Sequence, residues 1–183
     1  MIKYAFILFC LTLGFLACEP PQESAGAESP LIRIDSLLES FIPEIVKAGP
    51  VHKSVIVGQE KPETQTLEFT AEEWEKELDF FLSANINRKS WAGDFTVDSS
   101  YQNDQLHISY RAESDRIPVK ACHIIQNPDG QLRYLKMDIR RSTALSSLER
   151  DLIFAYPDSI QIENRETFVF LNPHELIIHY EWR

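Results

Sequence analysis

The segment His174-Glu175-Leu176-Ile177-Ile178-His179 sets two histidines and a glutamate within six residues. Those are the side chains with which zinc hydrolases hold a metal and activate a water. Such enzymes space the histidines at i and i+4 on a helix, so both imidazoles share one face about a turn apart. Here the spacing is i and i+5, which on a helix swings the second histidine by roughly 140° around the axis. The flanking residues argue for a strand instead: Pro173 precedes the segment, two isoleucines are consecutive, and Tyr180 and Trp182 continue at period two. On a strand His174, Leu176, Ile178, Tyr180 and Trp182 point one way, while Glu175, Ile177, His179 and Glu181 point the other. The imidazoles then lie on opposite faces, and no metal is expected.

Cys122-His123 has the residue types of a nucleophile beside a base. Adjacent strand residues also point to opposite faces, so a base for Cys122 has to come from elsewhere, such as His107. Cys10 and Cys18 lie in the N-terminal segment, which leaves Cys122 without an intrachain disulfide partner. A lone strand cysteine is ordinarily a small buried hydrophobe. Glu72, Glu73, Glu75, Glu77 and Asp79 are dense enough to offer an acidic pair for general acid and base work. Acids near a helix start are more simply a solvated face favoured by the helix dipole. A hydrolase built on Cys122 or an acidic pair is therefore the lesser alternative, and a non-enzymatic protein without a cofactor is expected. The glycines Gly49, Gly58, Gly93 and Gly130 are isolated, so no phosphate-cradling loop is present, and no EF-hand or G-x-S-x-G pattern occurs.

Aromatic side chains are numerous between Trp74 and Trp182. Most are expected to fill a core. The sharper expectation is an aromatic face for an apolar ligand or a partner, formed by Trp91, Phe95, Tyr110, Tyr134, Tyr180 and Trp182. The formal net charge of −10 over 183 residues repels phosphate backbones, so nucleic acid is not an expected partner.

The elements that must position these residues follow from periodicity. Ile34, Leu37, Leu38, Phe41 and Ile45 recur at helical steps, with Pro43 expected to kink or split the helix near Ile42 and Gly49-Pro50 to end it. Val51–Leu67 reads as a hairpin with a loose turn at Gly58–Pro62. Thr70-Ala71-Glu72-Glu73 is a capping box that opens a helix carrying Trp74, Leu78, Phe81 and Leu82 on one side and closing at Asn85-Ile86-Asn87. From Trp91 onward the period becomes two, clearest in Leu106, Ile108 and Tyr110, and Asn127-Pro128-Asp129-Gly130 is a strong turn. Further apolar stretches lie at Leu152–Tyr156, Ile160–Ile162 and Phe168–Leu171. Early helices and late strands joined by short turns predict an α+β fold, with N-terminal helices packed on a curved antiparallel β-sheet meander.

Met1–Cys18 joins one lysine, Lys3, to an apolar run at Ala5–Leu16 and a small residue before cysteine. That is the pattern of a secretory signal, too short for a mature membrane span. Phe15-Leu16-Ala17-Cys18 resembles the lipobox of bacterial lipoproteins, with Phe15 where leucine is usual and Leu16 where a small residue is usual. The resemblance implies a signal peptide at 1–17, cleavage before Cys18, and acylation of that cysteine, palmitate included. It also implies membrane anchoring in the cell envelope. Glu19 after the cysteine points to the outer membrane, facing either the periplasm or the outside. Glu19–Pro30, EPPQESAGAESP, offers little to bury, so 18–30 is expected to be a disordered tether and 31–183 a single domain. The order of helix, hairpin, capped helix and meander, with Trp91 ahead of Phe95 and a Tyr180/Trp182 finish, resembles small lipoproteins of unassigned function. The expected role is an accessory protein that binds another envelope protein, with a carrier of a lipid or other apolar ligand on the concave sheet face as the alternative.

Overall fold

A computed structural model describes residues 31–91 and 93–182. The expected signal peptide at 1–17, Cys18 and the expected tether at 18–30 lie outside the described residues. Leu31–Arg183 forms one compact unit.

Its elements are helix α1 (Ile34–Lys47), hairpin β1 (Val51–Val57) and β2 (Glu63–Leu67), helices α2 (Ala71–Glu77) and α3 (Asp79–Leu82), and a 3-10 turn at Lys89–Trp91. Seven strands follow: β3 (Phe95–Gln102), β4 (Gln105–Ala112), β5 (Val119–Gln126), β6 (Leu132–Ser142), β7 (Ser146–Ala155), β8 (Ser159–Phe168) and β9 (Leu171–Glu181). All nine strands join one sheet in the order β2-β1-β9-β8-β7-β6-β5-β4-β3, with every pairing antiparallel. Seven strands run as a meander, and the first hairpin adds to its β9 edge. The α+β expectation and the meander hold.

Register explains why one face is dry. Val97, Tyr110, Cys122, Met137, Leu152, Ile162, Ile178 and Val55 are successive cross-strand partners, making one apolar rung over eight strands. The next rung on the same face runs Ile108, Ile124, Leu135, Phe154, Ile160 and Tyr180, and ends on Lys53. Helices cover this face. Phe41 of α1 meets Phe154 edge-on, Phe81 of α3 meets the same ring, and Trp74 of α2 packs against Tyr180. Ile34, Leu38, Ile45, Leu78 and Phe81 are fully buried, so the space between helices and sheet is filled by side chains. Each such Leu, Ile or Phe contributes roughly 1.5–3 kcal/mol through its removal from water.

The capping box forms as written: Thr70 Oγ1 accepts from the Glu73 amide, and the Glu73 carboxylate accepts from the Thr70 amide at 2.8 Å. Asn127-Pro128-Asp129-Gly130 turns β5 into β6, with Gly130 at φ 82°.

Four local expectations are corrected. Helix α1 runs unbroken through Pro43. The carbonyl that proline leaves without a donor is that of Glu39, and both residues are exposed, so water replaces the lost bond. The capped helix breaks at Leu78 and ends at Leu82 rather than near Asn87. Trp91 sits in the 3-10 turn, and the first long strand opens at Phe95. The apolar stretch Phe168–Leu171 is a hairpin tip: Phe168, the last residue of β8, pairs with Leu171, the first of β9, and Val169-Phe170 is the turn.

Candidate functional site

The apparent reactive groups are separated by the sheet. His174-Glu175-Leu176-Ile177-Ile178-His179 is strand β9, with His174 opposite Glu166 and His179 opposite Gln161 five positions along, so the imidazoles leave from opposite faces. Cys122 is buried on the helix side between Tyr110 and Met137. Burial, with the Asp138 carboxylate adding to it, pushes its thiol up to about 12. His123 leaves from the other face, where its Nδ1 and the Ser109 Oγ share a hydrogen bond of 2.9 Å and its ring lies 5.7 Å from that of His107. Burial and then the His107 charge hold His123 below its ordinary value. Among the described residues no group of three or more His, Cys, Asp and Glu side chains is placed to hold a metal ion.

Of the acidic run, Glu77 alone turns inward. Its carboxylate accepts from Lys53 Nζ at 2.8 Å through both oxygens and from the Tyr180 hydroxyl. Lys53 also lies 5.3 Å from the Tyr180 ring centroid and 5.8 Å from that of Phe69. Burial, then the bond to Glu77, raises the Tyr180 phenol. This group ties α2 to β1 and β9 and is structural. A second inward polar group, Arg150 Nε to Asn164 Oδ1 at 2.8 Å, lies under Phe80, whose ring centroid is 4.7 Å from the guanidinium. Desolvation lowers the Arg150 pKa.

The six expected face residues do not share a face. Phe95, Tyr110 and Tyr180 are buried on the helix side, where each fills core. Trp182 is half-buried, stacked on Trp74 and edge-on to Tyr156, with its indole Nε1 lacking a partner among the described residues. Tyr134 leaves from the opposite face and packs on His123. Trp91 lines a recess, and that recess is basic.

Two surface features meet at one end of the sheet. The first is apolar. At the β8–β9 tip Val169 is 60%, Phe170 87% and Leu171 69% exposed, and at the neighbouring β6–β7 tip Leu145 is 66% exposed. The Val169 amide donates to the Leu145 carbonyl at 3.1 Å, which joins the tips into one patch. A β-branched residue and a phenylalanine are poor choices for a two-residue turn, where Asn, Asp and Gly are favoured. Apolar residues kept in water against local preference mark a surface that has another use.

The second feature is a groove of about 990 Å³ between the loop before β5, the 3-10 turn and the β6–β7 hairpin. Arg88, Arg116, Lys120, Arg140 and Arg141 line it, with Asp115 and Glu149 as its carboxylates. Arg140 is held by Asp151 at 2.8 and 3.1 Å, and Lys120 by the Asp115 carbonyl at 2.9 Å. Arg88, Arg116 and Arg141 are exposed and have no carboxylate within 4.0 Å among the described residues. The Arg88 guanidinium rests 4.7 Å from the Trp91 ring centroid. Two smaller recesses share lining residues with the groove: one of about 250 Å³ shares Arg141 and Leu148 and reaches Phe168, and one of about 220 Å³ shares Ser142 and Ser147 and reaches Leu145 and Val169. Sequence reasoning missed both features. The signals present were the Arg140-Arg141 pair and an apolar run ending at the turn residues Asn172-Pro173.

A scan against protein-family models finds no match, and neither does a search of curated proteins or one of solved structures. Among the described residues no helix is long and apolar enough to cross a membrane.

Proposed function

We propose that this protein is a lipid-anchored, non-enzymatic accessory protein of the bacterial cell envelope, addressed to the outer membrane, that docks on another envelope protein. The observation that carries the reading is the joined pair of hairpin tips, where Leu145, Val169, Phe170 and Leu171 are 60–87% exposed. Ladder hydrogen bonds of β6 to β9 hold these side chains in place before a partner arrives, which lowers the ordering cost of binding. The anchor enters through the lipobox-like residues Phe15–Cys18. Two acyl chains or more make such an anchor stable, and a tether sets the docking end clear of the bilayer.

A photo-crosslinker placed at Leu145 in living cells tests the docking. One reproducible protein adduct, weakened by Phe170→Asp, is expected; the absence of any discrete adduct sinks the reading. Radiolabelled palmitate incorporation that disappears in Cys18→Ser tests the anchor separately.

A further inference from the structure

We infer that the basic groove beside the tips receives an acidic, extended peptide segment of the docking partner. The inference rests on the docking reading and names the recognition chemistry of that site.

The first argument is local charge. The chain carries −10 overall, yet the groove sets five cations against two carboxylates. Three of the five, Arg88, Arg116 and Arg141, are exposed and lack a carboxylate partner among the described residues. Like charges gathered without partners repel one another, so their grouping is relieved by an incoming anion. Guanidinium forks match planar carboxylates through paired N–H donors. The second argument is shape. Headgroups of a bilayer form a broad layer, whereas these cations line a recess of about 990 Å³ that a chain can enter. Long polyanions such as nucleic acid meet the repulsion of the rest of the chain, while a short segment with a few carboxylates meets mainly the groove. The third argument is continuity. The groove shares Leu148 with the recess that reaches Phe168, and Ser142 and Ser147 with the recess that reaches Leu145 and Val169, so a segment with carboxylates and apolar side chains can meet both surfaces. The hydroxyls of Ser142 and Ser147 along the way suit the backbone of an extended chain.

The test uses the full chain in neutral detergent and a fluorescein-labelled ten-residue peptide of alternating glutamate and leucine, read by anisotropy. Saturable binding is expected, weakened about tenfold or more by Arg88→Ser with Arg141→Ser, and weakened further by salt as exposed charges are screened. Arg165→Ser, which removes a cation paired with Glu175 on the same sheet but outside the groove, leaves binding unchanged. The inference is overturned by no saturable binding, by equal binding of a lysine–leucine peptide, or by insensitivity to the double substitution. It is also overturned if short-chain phosphatidylglycerol displaces the peptide at lower concentration than unlabelled peptide does, which assigns the groove to lipid. A discrete adduct at the tips without peptide binding sinks the groove inference alone; peptide binding without an adduct sinks the docking reading instead.

Discussion

Replacing Glu77 with alanine removes the one carboxylate shared by Lys53 and Tyr180. Tyr180 is fully buried, so its hydroxyl is left without an acceptor, a loss of about 1–3 kcal/mol. The ion pair lies between regimes, since the Lys53 side chain is 14% and the Glu77 side chain 24% exposed. Breaking a fully buried pair costs about 3–5 kcal/mol and an exposed one about 0–1. Lys53 has a flexible stem with which to carry its charge toward water, which moves the cost toward the lower end. A total of about 3 kcal/mol follows, or a fall in Tm of roughly 6–12 °C for a domain of this size. Tyr180→Phe leaves the ion pair intact and costs about 1 kcal/mol. Lys53→Met with Glu77→Leu removes both charges and recovers much of the loss, because apolar replacements of a buried pair are often neutral. Urea unfolding followed by tryptophan fluorescence measures all three. The reasoning is refuted if Glu77→Ala costs no more than Tyr180→Phe, since the carboxylate is then a solvated group with incidental partners.

The Asp138 carboxyl is held above its ordinary value of 3.8, first by burial and then by its hydrogen bond to Asp151. The folded state therefore favours the protonated acid, and that contribution is present below pH 3.8 and lost as pH rises through the elevated folded value. Asp138→Asn is expected to raise Tm at pH 7, with the gain vanishing below pH 3.8; a gain independent of pH contradicts the assignment. With Cys10 and Cys18 changed to serine, Cys122 is expected to ignore a disulfide reagent at pH 8, where a thiol pushed up to about 12 has on the order of one thiolate in ten thousand, and to react once unfolded. Rapid stoichiometric labelling of the folded chain tells against the burial described. Phe170→Asp is expected to change stability by less than about 0.5 kcal/mol while depleting the adduct at Leu145. A large loss of stability instead makes the tip part of the fold's support rather than a docking surface.

Local chemistry was legible in the residues, and long-range assembly was not. Thr70 and Glu73 announce a helix start because both halves of the capping box lie three residues apart. Leu106, Ile108 and Tyr110 announce a half-buried strand for the same reason of short range. Period two also places His174 and His179 apart without knowledge of the sheet. Pro43 misled because the effect of a missing amide depends on whether its orphaned carbonyl meets water, which a pattern does not state. Phe168–Leu171 misled because apolar residues ordinarily signal burial, and here a turn carries them outward. The groove drew on residues from Arg88 to Glu149, brought together by four pairings of the meander, so no window of sequence contained it. The six aromatics were grouped by type, while strand parity and helix cover divide them.

Strand β9 lies between β8 and β1, with His52 facing Glu181 and Val57 facing Leu176. The first hairpin thus finds its neighbour only when the last dozen residues arrive, more than a hundred positions later in the chain. Closing so long a loop is slow, because ordering cost precedes the contacts that repay it. Until then β1 is an open edge able to pair with a stray strand. A chain that lacks β9 (Leu171–Glu181) keeps that edge for good, so loss of this one late strand unmoors the first hairpin and invites self-association.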